Sequence, residues 1–345
     1  MRISVQMRAP LGCFLAILLL ISGCKKAPES SNIANAGNET IEAATNVSAA
    51  RDGPEVGRQI VPDGAVTFTS LADAHQNGES IKGALRDGTA VPLDSTDWPA
   101  SFMTEFKSGG SAATCTAAMI GPGVMLTAAH CVPNNGKISF ALKGRTYGMT
   151  CSRHPKWDSG DDPSADYGLC ALDPGQAFIP PHDLLYEMVD TSPIAGLQPN
   201  MKIVLTGYGC ASNQVSQSRI DGRYRIGGNS VEATSESRPP RKYPNTYYSP
   251  TGQRNNLFTS MSGANICPGD SGGPAFSAGS GGTAPRRIIG VNSRVFFADD
   301  AHQVYGASLI ASLGGDDFPS WARKWLADRH LAACGLGGAP SGCRL

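Results

Sequence analysis

The sequence has no excess of charge of either sign. Its 29 basic and 29 acidic residues cancel, so no global field draws it to nucleic acid or to an anionic membrane surface. It is also short of apolar runs: Leu11 to Ile21 does not reach the ~20 residues that a membrane-spanning helix needs. No internal repeat is evident. Cys151-Ser152-Arg153-His154 has no second pair at ligand spacing, so no zinc site, and no other metal or cofactor, is expected. Aromatic residues are missing from Lys25 to Gly57. That stretch cannot bury enough surface to offset its ordering entropy, and residues 24–57 are expected to be a disordered tether.

What the chain has in abundance is glycine and proline, 41 and 24 in 345 residues. Such punctuation suits short strands joined by turns, and a single all-β unit of more than ~200 residues is within the usual range. At the N-terminus, Arg2 and Arg8 precede the apolar run and small residues follow it, which reads as an export signal over 1–23. Its end, Leu20-Ile21-Ser22-Gly23-Cys24, resembles the lipobox of bacterial lipoproteins. That likeness implies lipidation of Cys24 and, with Lys25 rather than aspartate following, an outer-membrane location. The alternative is a soluble exported protein, periplasmic or secreted.

The stretch richest in chemistry is Cys267-Pro268-Gly269-Asp270-Ser271-Gly272-Gly273-Pro274. Glycines let backbone N–H groups approach a reacting carbonyl, and such groups stabilise an oxyanion. A serine hydroxyl there needs a base and a group to orient the base. His130 ends the apolar run Val124-Met125-Leu126-Thr127-Ala128-Ala129 and is followed by Cys131. Asp166 opens the strand-like Tyr167-Gly168-Leu169-Cys170-Ala171-Leu172.

The order His130, Asp166, Ser271 and the flanking sequences resemble the trypsin/chymotrypsin-like serine peptidases. Leu126-Thr127-Ala128-Ala129-His130-Cys131 and Gly269-Asp270-Ser271-Gly272-Gly273-Pro274 are similar to that family's two signature motifs. The likeness extends to Gly207-Tyr208-Gly209 and Val304-Tyr305-Gly306. It implies an all-β fold, two six-stranded antiparallel barrels packed together with a C-terminal helix over Phe318 to Leu331. It also implies hydrolysis of peptide bonds through an acyl-enzyme, with Gly269 and Ser271 N–H groups forming the oxyanion hole. Residues 85–331 are expected to be the peptidase domain, 58–84 a propeptide or N-terminal extension, and 332–345 a disulfide-closed tail. The substrate pocket is expected at Asn265, Asn292, Ser293, Arg294 and Val295. With a neutral Asn265 where relatives that prefer arginine or lysine carry an aspartate, no such preference is expected. Activation by a freed apolar N-terminus lacks its usual sign, since neither Ile60-Val61-Pro62-Asp63 nor Ile81-Lys82-Gly83-Ala84 matches the family's start.

Setting aside Cys13 and Cys24 leaves eight cysteines in an oxidising compartment. The resemblance implies Cys115 with Cys131; the pairings Cys151 with Cys170, Cys210 with Cys267, and Cys334 with Cys343 are expected beside it. Strands are expected at 114–120, 124–129, 137–142, 146–151 and 167–172, then at 201–206, 223–234, 274–276, 287–292 and 303–308. Two other classes remain in view: a catalytically idle, peptidase-shaped surface binding protein, and an esterase of the α/β-hydrolase type. The second needs a helix after the serine, where Pro274 and a Gly/Ser run stand instead.

Overall fold

A computed structural model of the chain describes residues 65–70, 85, 87–92, 97–108, 111–193, 199–217, 219–234, 255–277, 285–298, 301, 303–315 and 317–344. The export signal, Cys24, the tether and both activation candidates lie outside these residues. All described residues belong to the unit Ala50–Leu345. Among them, no helix is long and apolar enough to cross a membrane.

The first half contains β1 (Val66–Ser70), β2 (Thr89–Ala90), β3 (Ser101–Ser108), β4 (Ser111–Gly121), β5 (Val124–Thr127), β6 (Lys137–Leu142), β7 (Arg145–Arg153) and β8 (Gly168–Leu172). All but β2 close into a barrel in the order β1-β3-β4-β5-β8-β7-β6. Period-two alternation decides which side chains fill it: along β6, Ile138, Phe140 and Leu142 are buried while Lys137 is exposed. Inside, Phe140 meets Phe102 edge-on at 5.7 Å and stacks on Tyr147 at 5.0 Å.

This barrel has seven strands, not the expected six. The additional one is β1, from the segment expected as a propeptide or extension. It pairs antiparallel with β3, from Thr67 opposite Glu105 to Ser70 opposite Phe102. On its other side it runs parallel to β6, from Val66 opposite Ile138 to Thr69 opposite Ala141. Val66 and Phe68 point inward and are buried, so the segment supplies core as well as ladder.

The second half contributes β9 (Lys202–Gly207), β10 (Arg225–Thr234), β11 (Asn256–Thr259), β12 (Pro274–Ser277), β13 (Arg287–Phe297) and β14 (Tyr305–Ser312). The order β11-β14-β13-β12-β9-β10 is closed by a pairing between β10 and β11, and β2 adds to β10. This is the expected six-stranded barrel. The residues after Ser271 form a strand, β12, and not a helix, which excludes the α/β-hydrolase reading.

The C-terminal helix spans Asp317–Ala327. Phe318, Ala322, Trp325 and Leu326 share its buried face, the spacing of an amphipathic helix. It stops short of Leu331, and the chain reverses at His330 with φ +54°. Phe318 packs 5.0 Å from Tyr167, whose hydroxyl donates to the Ser312 carbonyl at 2.5 Å. Helix and second barrel thus brace the backbone beside Asp166.

Candidate active site

β5 is buried at all four positions and hands over at Ala128 to a single 3-10 turn, Ala129–Cys131. The Cys115–Cys131 disulfide fixes the end of that turn to β4. His130 is therefore held by its neighbours on both sides, and it is buried. The two sulfurs lie within 4.8 Å of a His130 ring nitrogen. Being bonded to each other, they offer no thiolate to a metal ion.

Asp166, fully buried, accepts three hydrogen bonds. His130 gives two, its backbone N–H to Oδ1 at 3.0 Å and its ring Nδ1 to Oδ2 at 2.7 Å. Ser293 Oγ donates to Oδ2 at 2.7 Å. Burial alone would raise the Asp166 carboxyl pKa. The charge of His130, its hydrogen bond, the charge of Arg294 and the Ser293 bond together outweigh burial and hold the pKa below the ordinary carboxylate range. With Nδ1–H directed at the carboxylate, Nε2 is left as the ring's acceptor. It is buried and makes no hydrogen bond.

Ser271 sits just before β12 and is half-buried. Its carbonyl accepts from the Thr116 N–H at 2.7 Å, one residue from Cys115. Thr116 Oγ1 donates to the Gly269 carbonyl at 2.9 Å. Gly272 has φ +81°, and a Cβ there would fall 2.1 Å from Thr127 Oγ1. Only glycine lets the nucleophile loop of the second barrel lie against the strand that delivers His130. No hydrogen bond joins Ser271 Oγ to His130 Nε2; such bonds are often long before substrate is bound.

Next to the serine, Gly269 has φ +100°, and a Cβ there would come 2.7 Å from Gly209 Cα. Asp270 is fully buried. It accepts from Gly209 N–H at 2.7 Å through Oδ1 and from Cys267 N–H at 2.9 Å through Oδ2. Burial pushes its pKa up to about 7 against the pull of those two N–H groups and of Arg225. Arg225 is itself held by both oxygens of Asp221, at 3.0 and 2.8 Å.

All five residues expected at the substrate pocket are buried. Asn265 Oδ1 accepts from Thr259 Oγ1, Ser308 Oγ and Asn229 Nδ2, and its Nδ2 faces the carbonyls of Ser260, Met261 and Gly263. Asn292 lies behind the nucleophile loop, donating to the Thr206 and Asp270 carbonyls at 2.8 and 3.2 Å. Ser293 is on Asp166. Arg294 donates to the Pro163 carbonyl and lies 5.8 Å from the Trp157 ring, which is itself 6.2 Å from His130. Val295 is in the core of the second barrel. Sequence reasoning did not foresee that Ser293 supports the aspartate, because no local pattern ties residue 293 to residue 166.

All four expected disulfides are formed: Cys115–Cys131, Cys151–Cys170, Cys210–Cys267 and Cys334–Cys343.

Among curated proteins the chain finds no match. Among solved structures it is similar to neuropsin, a serine protease expressed in the limbic system of mouse brain. That likeness has a TM-score of 0.50 at 16% identity and covers 70% of this chain and 100% of the other; at this identity it speaks for the fold alone. The family model described as Trypsin matches residues 89–308, well over half of the sequence. The buried histidine–aspartate pair, the glycine-rich serine loop and most strands of both barrels lie within that match: the chain belongs to the trypsin family.

Proposed function

We propose that the protein is a serine endopeptidase in which His130, Asp166 and Ser271 act together. His130 Nε2 takes the Ser271 hydroxyl proton as Oγ attacks a peptide carbonyl. Asp166 keeps the Nδ1–H tautomer and stabilises the imidazolium. The N–H groups of Gly269 and Ser271 receive the oxyanion; the His130 imidazolium then gives its proton to the leaving amine as the C–N bond breaks, and water, deprotonated by the same ring, hydrolyses the acyl-enzyme. The observation that supports this reading most is the buried 2.7 Å contact of His130 Nδ1 with Asp166, which leaves Nε2 as a free acceptor.

The amide of Asn265 carries no charge and its hydrogen-bonding groups face the protein, so a cationic side chain would enter without a counter-charge. A peptide-library digest is expected to show no confinement to cleavage after arginine or lysine. Export through residues 1–23 and lipidation at Cys24 are part of the proposal, and mass spectrometry of the mature N-terminus tests them.

The unformed Ser271–His130 hydrogen bond is the observation that favours a second reading, an idle surface-binding protein. Fluorophosphonate labelling separates the two. The wild-type protein is expected to be labelled and to cleave peptides, and Ser271→Ala to do neither while melting at the same temperature. Peptide cleavage that survives Ser271→Ala would overturn the assignment.

A further inference from the structure

We propose that the Cys210–Cys267 disulfide positions the oxyanion-binding turn, so that Gly269 and Ser271 N–H groups hold their catalytic places only while this bond is oxidised. The inference rests on the peptidase reading above and adds a redox condition to it.

Two segments meet here. One is the end of β9 and the residues after it, Gly207 to Cys210; the other is the nucleophile loop, Cys267 to Ser271. Asp270 bridges them, with each carboxylate oxygen held from a different side. Oδ1 takes the N–H of Gly209, the residue before Cys210, at 2.7 Å. Oδ2 takes the N–H of Cys267 itself, at 2.9 Å. A third bond runs from the Cys210 N–H to the Pro268 carbonyl at 3.1 Å. The disulfide therefore ties together the residues whose backbone groups hold Asp270 in place. Asp270 lies between the two proposed oxyanion donors in sequence, so its position sets theirs.

The contact has no slack. A Cβ on Gly207 would fall 2.2 Å from Asp270 Oδ1, one on Gly209 would fall 2.5 Å from Asp270 Cγ, and one on Gly269 would fall 2.7 Å from Gly209 Cα. Interlocked backbones of this kind separate as a unit, losing these hydrogen bonds together. A buried carboxylate deprived of its N–H donors must then find water or a proton, and either moves the turn. The other disulfides do not substitute for this one. Cys115–Cys131 adjoins His130, Cys151–Cys170 crosses β7 and β8 in the first barrel, and Cys334–Cys343 closes the tail.

In the switching step, a dithiol reductant gives up two electrons and two protons and closes to its own disulfide. The Cys210–Cys267 S–S bond breaks, and each cysteine leaves as a thiol.

The test compares the full chain with Cys210→Ala/Cys267→Ala and with Cys151→Ala/Cys170→Ala, the latter removing a disulfide that does not touch the nucleophile loop. In the first variant, kcat for a chromogenic peptide should fall about 100-fold or more, the scale of one lost oxyanion donor. KM should stay within about threefold. Affinity for a peptide boronic acid, whose tetrahedral adduct places an oxygen in the oxyanion hole, should fall in step with kcat. The second variant should melt lower and keep kcat within about threefold. A first variant that keeps wild-type kcat and boronate affinity overturns the proposal and leaves the peptidase reading intact. If that variant does not fold, graded dithiol treatment of the wild-type protein decides. Fluorophosphonate labelling must fall as mass spectrometry finds Cys210 and Cys267 free, and return on reoxidation; labelling that persists with this pair reduced overturns the proposal. A wild-type chain that is never labelled overturns the peptidase reading and this inference with it.

Discussion

Asp166 accepts three hydrogen bonds, and the one from Ser293 Oγ can be removed without altering the imidazole. A bond to a charged group contributes about 1.5–3 kcal/mol, and the two bonds from His130 remain. Ser293→Ala is therefore expected to lower kcat/KM roughly tenfold, close to the lower end of that range at 1.36 kcal/mol per decade, with little change in KM. Steady-state kinetics on a peptide ester reads it, and a loss under about twofold would remove Ser293 from the site. Asp270 offers a pH test of a different kind. Its pKa is higher folded, about 7, than unfolded, so the folded state binds its proton more tightly. That contribution is complete below the ordinary carboxylate range and is lost as pH rises through about 7. Urea denaturation from pH 5 to 8 should show wild type losing stability relative to Asp270→Asn; parallel curves would contradict the buried-carboxyl account. At this scale, the histidine and aspartate were legible because each ends or opens an apolar run, so sequence alone places it at a strand end. Asn265 and Asn292 were less so. A position along the chain says where the backbone passes, while their amides are directed by partners such as Ser308 and Thr206 that no neighbouring residue announces.

Among the elements, β1 has the largest consequence for stability. Phe68 is fully buried in the first barrel and its strand is paired on both edges. Phe68→Ala is expected to destabilise the protein by about 3–5 kcal/mol, measured by urea unfolding. A loss under about 1 kcal/mol would show that the barrel closes adequately without this strand. The alternation Val66-Thr67-Phe68 announces a strand, yet its place between β3 and β6 depends on partners dozens of residues away. β6, by contrast, was legible end to end, since its alternating Ile138, Phe140 and Leu142 stand between turn residues. β11 escaped notice for a physical reason: Asn256-Leu257-Phe258-Thr259 sets only two apolar residues between two polar ones, too short a pattern to show a period.

At the scale of the molecule, the segment between the barrels is fastened by the C-terminal tail. Tyr186 N–H donates to the Gly342 carbonyl at 2.7 Å and Val189 N–H to the Cys334 carbonyl at 2.9 Å. Glu187, fully buried, accepts from Arg286 at 2.5 and 3.0 Å, with the Arg344 guanidinium 3.7 Å away. The cross-linked tail is thus a clasp over the connection between the two halves that carry His130 and Ser271. The first strand has a mechanical counterpart to that clasp. Tension applied along β1 from its N-terminal end meets ladders on both edges in shear, so they resist together instead of peeling rung by rung. Pulling force that reaches Val66 is thus carried into the wall of the first barrel through β3 and β6 at once.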